Sequence, residues 1–370
     1  MKNLRVLFIN LVIFLFLFEG LSFLYFHSGI SLTTYEPSYV QGVHKTEAQW
    51  MTEFEDWGAW HLPNGKASFE RRCITTNLLA NSFGARDRER MKESASSRVV
   101  VLGDSFAEGY GISTEFRFSD VLEERLEKEF LNFGASGNFG PVQYYILYRD
   151  LVRSFDHDTV LISFLPDNDF TDNDPKEWNK GSATIFKNRY RPYYRKLEQG
   201  YEVFYPAEKP QKMKTFAEMT AAGHDNRSIK SKIQRMTWMY GIYREIKAYK
   251  QVFDVDVPDY SGYFDMSQSQ IEASLYFVGE IKKLARNKRV ILFTIPRLGD
   301  LRKLQQHKSH LPEVFKSSLD EMGVEYLDLT QETLQAENKL ESLFIPCDGH
   351  WDRKGHRLAA DILQKHFFSP

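Results

Sequence analysis

Val99–Gly111 reads VVVLGDSFAEGYG, a run of four aliphatic residues that stops at Gly-Asp-Ser-Phe. Unbroken apolarity from Val99 to Leu102 fits a parallel strand covered by helices on both faces, whereas a half-solvated strand would alternate. Ser105 then stands at a strand's carboxyl end, the edge where open α/β sheets bind ligands, with the free N–H groups of a helix start beside it. Two readings follow: Ser105 is a nucleophile, or Asp104 or Ser105 simply caps the next helix.

Working outward, strands are expected at 98–102, 131–133, 159–165, 289–295 and 324–329. Helical patterns at 118–130, 141–155, 268–286, 311–322 and 353–368 lie between or after them. Such alternation implies βαβ units and a mostly parallel sheet. Three further polar interruptions fall at strand ends or in the last loop. In LNFGASGNFG (131–140), Gly134 and Gly137 permit turns and close backbone approach; they are either turn punctuation or a means of aiming an N–H at a carbonyl. In LISFLPDNDF (161–170), the Asn168 amide either donates to an oxyanion or forms a turn. In PCDGHWDRKGH (346–356), Asp348 and His350 stand two apart, the carboxylate and imidazole of a serine hydrolase's base, ahead of a helix that Asp352 can cap. His356, inside that helix, reads as structural. No metal-ligand spacing is present, so a cofactor-free site is expected.

The set Ser105, Gly137, Asn168, Asp348 and His350, in that order, resembles the SGNH (GDSL-like) hydrolase superfamily. GDSF is similar to its first block, NFGASG to its second, PDNDF to its third and DGHWDRKGH to its fifth. The resemblance covers roughly 98–170 and 289–366. It implies a three-layer α/β/α, flavodoxin-like fold. Ser105 would be nucleophile, His350 base and Asp348 its orienting carboxylate, with Ser105 N–H, Gly137 N–H and the Asn168 amide as oxyanion hole. Two departures stand out. Pro166 replaces the usual Gly of the third block. The final spacing is D-x-H rather than D-x-x-H, as in alginate-type acetyltransferases of the superfamily, and Cys347 occupies the more usual Asp position.

The amino terminus carries Lys2 and Arg5 before an apolar stretch from Val6 to Phe26. At ~1.5 Å per residue this just crosses a ~30 Å hydrocarbon core. A signal anchor is expected, with a cleaved signal peptide as the alternative; either puts the rest outside the cytoplasm, on a periplasmic or extracellular face. The expected organisation is an anchor (1–27), a stalk and extension packing on the domain (28–97), and a hydrolase domain (98–370) with an insertion at about 170–263. With 42% hydrophobic and 15% aromatic residues, 370 residues can bury a large core, and a net charge of −2 gives no general field for nucleic acid, which is not an expected partner. Within the insertion, EQG (198–200) suggests a hairpin. The helix 228–253 shows Ile229, Ile233, Met236, Tyr240 and Tyr243 at helical spacing with basic residues around them. It reads as packed on the domain with a solvated basic face; a lid or membrane-surface element is the other reading.

The expected function is an extracytoplasmic serine esterase removing O-acetyl groups from a cell-envelope glycan. One alternative is an O-acetyltransferase on a surface polysaccharide, using the same site with a membrane protein as acyl donor. The other is a non-catalytic glycan-binding or assembly protein. In an exported chain, Cys73 and Cys347, the only two cysteines, are a candidate disulfide; two unrelated thiols are the alternative.

Overall fold

In the computed structural model, the amino-terminal apolar run forms a single helix, α1 (Lys2–His27), with 6% of its most apolar window buried inside the protein. The structure describes residues 2–31, 35, 37, 51–54, 56–71, 74–137, 139–176, 190–205, 228–253, 260–346 and 348–368. Two antiparallel hairpins follow α1: β1 (Met51–Phe54) with β2 (Gly58–His61), and β3 (Lys66–Arg71) with β4 (Ile74–Leu79). Here the sequence predicts a stalk and extension (28–97), with no strand expected before 98. Trp57 and Trp60 carry the first hairpin into the main hydrophobic core, where Trp60 is fully buried.

The α/β part begins with β5 (Arg98–Leu102), α2 (Ser105–Glu108), α3 (Phe118–Leu126), β6 (Glu129–Asn132), α4 (Pro141–Asp150), β7 (Thr159–Phe164) and α5 (Pro166–Asp172). The insertion holds the hairpin β8 (Tyr193–Lys196) and β9 (Tyr201–Phe204), turning at the expected Glu-Gln-Gly, then α6 (Ile229–Gln234) and α7 (Trp238–Phe253). The remaining elements are α8 (Gln268–Ala285), β10 (Arg289–Thr294), α9 (Leu298–Leu304), α10 (Leu311–Glu321), β11 (Glu325–Asp328), α11 (Thr330–Ala336) and α12 (Arg353–Leu363). The last helix does not run on regularly to Phe368: from Gln364 it widens into a π turn.

Strands β6-β5-β7-β10-β11 form one sheet in which every neighbouring pair is parallel. Numbered within the sheet, the order is 2-1-3-4-5, the flavodoxin-like arrangement, whose switch point lies between β5 and β7. Pleating sends Val100 and Leu102 into a core shared with α4, α8 and α10, while Val99 and Val101 enter a second core with α2, α3, α9 and α12. These two cores are why β5 is apolar throughout: neither face meets water.

One expectation is overturned. The stretch 228–253 breaks at Arg235–Thr237 into two helices, and its packing partner is α1 rather than the α/β domain. Ile229, Ile233, Met236 and Tyr243 are exposed, not packed on the core. Periodicity correctly marks a helix but does not say what covers its apolar side.

Candidate active site

At the end of β5 the chain turns sharply. A Cβ on Gly103 would lie 2.6 Å from the Ala107 Cβ and 2.8 Å from the Ser163 Cβ, so only glycine lets α2 start this close to β7. The capping reading of the opening motif holds for Asp104. Asp104 is the cap, its Oδ1 accepting the Phe106 N–H at 2.9 Å, and Ser105 is the first helical residue. Among the described residues the Ser105 N–H has no acceptor, as expected of the first N–H groups of a helix. Helix α2 ends after one turn at Gly109, in the left-handed region with φ 76°.

His350 reaches this serine from the opposite end of the chain. Its Nε2 lies 2.7 Å from Ser105 Oγ, and its Nδ1 is hydrogen-bonded to Asp348 Oδ1. With Nδ1 donating to the carboxylate, Nε2 is placed to accept from the Ser105 hydroxyl. The rings of Phe106 and Tyr110 flank the imidazole, with centroids at 4.9 and 4.7 Å. The short D-x-H spacing works because the loop folds back on itself. Ile345 N–H donates to His350 O, Asp348 and Gly349 N–H both donate to Ile345 O, and Gly349 sits at φ 92°. That left-handed glycine between carboxylate and imidazole brings the two side chains onto one side.

Asn168 occupies the first turn of α5, just past β7, and its Nδ2 donates to Asp104 Oδ2 at 3.0 Å. Burial pushes the Asp104 carboxyl up despite the bonds it accepts from Phe106 and Asn168. Pro166 is the first residue of that helix, where a missing N–H costs nothing, which accounts for proline in place of glycine. Asn132 is structural: its Nδ2 donates to Ala107 O and Ser119 Oγ, and its Oδ1 accepts the Gly134 N–H. Gly137 follows in the same loop at φ 97°. Thus Ser105, His350 and Asp348 form one hydrogen-bonded chain, Asn168 is bonded to Asp104, the residue before the serine, and Gly137 lies in the adjoining loop. His356 is buried and pushed down to about 3 by burial and then by Arg117; its Nδ1 faces the Phe118 N–H at 3.3 Å, so it stays neutral and holds α3. Among the described residues no group of three or more His, Cys, Asp or Glu is placed to hold a metal ion. Cys73 and Cys347 lie outside the described residues; of their neighbours, Ile74 and Ile345 share one small apolar cluster with Ile112.

Sequence reasoning missed the layer beneath the serine. Glu108, on α2, faces His61 of β2 at 3.4 Å and accepts the N–H of Ser136, the residue before Gly137. Burial alone would raise this carboxyl, but His61, Arg86 and the Ser136 N–H overrule it and hold it at about 2. The only sequence signal was a carboxylate three residues after the serine on a helix too short to show a face. A carboxyl lowered in the fold contributes stability above its unfolded value near 4.5, and that contribution disappears as the pH falls toward 2. The shift corresponds to about 3 kcal/mol at neutral pH. Glu108→Gln is therefore expected to unfold at lower urea than the parent at pH 7, with the gap narrowed to roughly half by pH 3. A gap unchanged between those pH values would show that the charge of Glu108 is not what holds the loop.

No family model matches this chain, and no curated protein matches it. Among solved structures it is similar to a member of the lipolytic G-D-S-L family from Veillonella parvula, 12% identical, covering 74% of this chain and 100% of that one with a TM-score of 0.37. It is also similar to a catalytic mutant of an acetylxylan esterase from Geobacillus stearothermophilus, 12% identical over 76% of this chain and 98% of that one, TM-score 0.37. A third is a carbohydrate esterase family 2 enzyme with a carbohydrate-binding domain from Corynascus thermopiles (Myceliophthora fergusii), 12% identical over 75% and 68%, TM-score 0.35. Likeness at these scores carries no weight for the chemistry, which rests on the hydrogen bonds described above.

Proposed function

We propose that this chain is a serine esterase of the SGNH type, held by α1 on the outer face of a membrane, that removes O-acetyl groups from a cell-envelope glycan. The observation that carries the chemistry is the unbroken contact from Ser105 Oγ through His350 to Asp348 at the sheet's switch point. Ser105 Oγ attacks the acyl carbonyl as His350 Nε2 takes its proton. Asp348 holds the resulting imidazolium. The Ser105 N–H, Gly137 N–H and Asn168 amide receive the oxyanion, and His350 then protonates the departing sugar hydroxyl. Water repeats the sequence on the acyl-serine, releasing acetate and restoring the hydroxyl. Asp104 acts one step back, holding the Asn168 amide beside the nucleophile.

Support for the location is the order of features in α1: Lys2 and Arg5 precede the apolar run, which favours a cytoplasmic amino terminus and an exported body. The acetyl-glycan substrate rests on that location and on the family resemblance. A fluorophosphonate probe tests the chemistry directly. It is expected to label the intact protein at Ser105, identified by peptide mass, while Ser105→Ala loses both the label and acetyl-ester hydrolysis. Parent protein that takes no label, with hydrolysis undiminished in Ser105→Ala, would remove the serine mechanism.

A further inference from the structure

Helix α7 is fastened to α1 at three points. Glu19, the only carboxylate in the apolar run, accepts the N–H groups of Trp238 and Met239 at 2.6 and 2.9 Å, capping the start of α7. Tyr25 donates its hydroxyl to Glu245 at 2.7 Å. Between them lies Gly241, where a Cβ would be 2.2 Å from the Tyr35 ring and 2.7 Å from that of Phe26, so the helices meet where no side chain intervenes. Around this contact Phe23, Phe26, His27 and Tyr35 pack on the Trp238 indole with ring centroids 5.0 to 6.2 Å away. A segment destined for removal has no need of a carboxylate that caps a helix of the mature chain.

We propose that α6 and α7 form a platform clasped to a retained α1, with their uncovered side chains seated at the headgroup boundary of an anionic bilayer. The inference rests on the reading of α1 as a membrane span. Depth is the first support. Glu19 lies seven residues before Phe26, roughly 10 Å inside the end of the apolar run. Helix α6, which leads into the capped start of α7, therefore arrives at about the 5–10 Å depth at which interfacial helices lie. Exposure is the second. Ile229 is 78% exposed and Ile233 58%, with Met236 beside them. On α7, Tyr243 and Ile246 are more than half exposed, on the side away from Trp238, Gly241 and Glu245, which meet α1. The third support is charge: Lys230, Lys232, Arg235 and Lys247 are interleaved in sequence with these apolar residues, Arg244 lies over the Tyr35 ring, and the one carboxylate among them, Glu245, is bonded to Tyr25. Apolar residues interleaved with Lys and Arg, with Trp and Tyr at the same level, match an acidic lipid surface.

The test uses the full chain purified from membranes, carrying the photocrosslinker p-benzoylphenylalanine in place of Phe16, Ile233, Ile246 or Met91, one at a time. The proteins are reconstituted in vesicles of phosphatidylethanolamine and phosphatidylglycerol. Lipid adducts are expected at Phe16, Ile233 and Ile246, at yields about fivefold above the exposed control Met91. In phosphatidylcholine vesicles the yield at Ile233 and Ile246 is expected to drop by about half or more, while that at Phe16 is unchanged. Lipid adducts at Phe16 alone would overturn the platform and leave the span standing. No adduct at Phe16 would remove the span and the platform with it. Protein adducts at Ile233 or Ile246 would assign that surface to a protein partner and overturn the proposal, and yields indifferent to lipid charge would overturn its anionic part.

Discussion

His350→Ala is expected to lower kcat/KM for an acetyl ester by about 10³-fold or more, with little change in the urea midpoint. A serine hydroxyl is a poor nucleophile at neutral pH, and among the described residues the hydrogen-bond partner of Ser105 Oγ is His350 Nε2. Removing it takes away the proton acceptor for attack and the donor for the leaving alcohol, and each role is worth roughly 10²–10⁴. Stability should change little because the imidazole side chain is 24% exposed and packs at a tilt on Phe106 and Tyr110. Asp348→Asn is expected to fall nearly as far, by roughly 10³–10⁴, because an amide can turn its NH₂ toward Nδ1 and leave the proton on Nε2, the wrong tautomer. The three residues act as a unit, so Ser105→Ala combined with His350→Ala should be no slower than either alone. Steady-state hydrolysis of p-nitrophenyl acetate with all four variants checks this. Multiplicative losses in the double variant, or a His350→Ala loss under about tenfold, would mean that another base serves Ser105.

Much of this site is legible in sequence because its parts are local. Strand β5 falls at 98–102 as expected, since a strand buried on both faces is a continuous apolar run and the polar residues that end it mark the sheet edge. The Asp348–His350 pairing is likewise written within three residues, once Gly349 is seen to permit the reversal. The hairpins β1–β4 were missed for the opposite reason. Their strands are four to six residues long, and Trp60 packs on Phe139 while the Trp57 carbonyl accepts from Gln143, partners some eighty positions away. No window of sequence contains that partnership. The same holds for α7: its sequence shows an amphipathic helix, but the Glu19 cap that positions it lies 219 residues upstream.

The stretch NLLANSFGARDRER (77–90) supports the short helix that carries Ser105. Asn81 closes a turn by accepting the Phe83 and Ala85 N–H groups, and this turn delivers Arg86 beneath α2. There Nη1 of the fully buried guanidinium donates to the carbonyls of Glu108 at 3.0 Å and Gly109 at 2.7 Å, and Nη2 to Ile112 at 2.6 Å. A one-turn helix cannot satisfy its own terminal carbonyls, and these lie out of reach of water, so a planar cation with a fixed fork of donors suits the position. Burial lowers the Arg86 pKa to about 10, which leaves it charged at neutral pH. Arg86→Ala is therefore expected to cost roughly 3–5 kcal/mol of stability, because it removes a buried cation beside Glu108 and leaves Ile112 O without a donor among the described residues and the Glu108 and Gly109 carbonyls with only the longer bonds from Arg117 and Ile112 N–H. Arg86→Lys should recover only part of this, since one ammonium cannot follow the same fork. As a positioning residue, Arg86 should show a second signature in any variant that folds. Phosphonate labelling of Ser105 and kcat should fall together by about tenfold, with KM nearly unchanged, because a loosened α2 misplaces the hydroxyl against His350 without touching substrate. Urea titration alongside the labelling rate separates the two effects. Arg86→Lys with parental stability, or a folded variant that is destabilised but labels at the parental rate, would show that the extension supports the fold without setting the nucleophile.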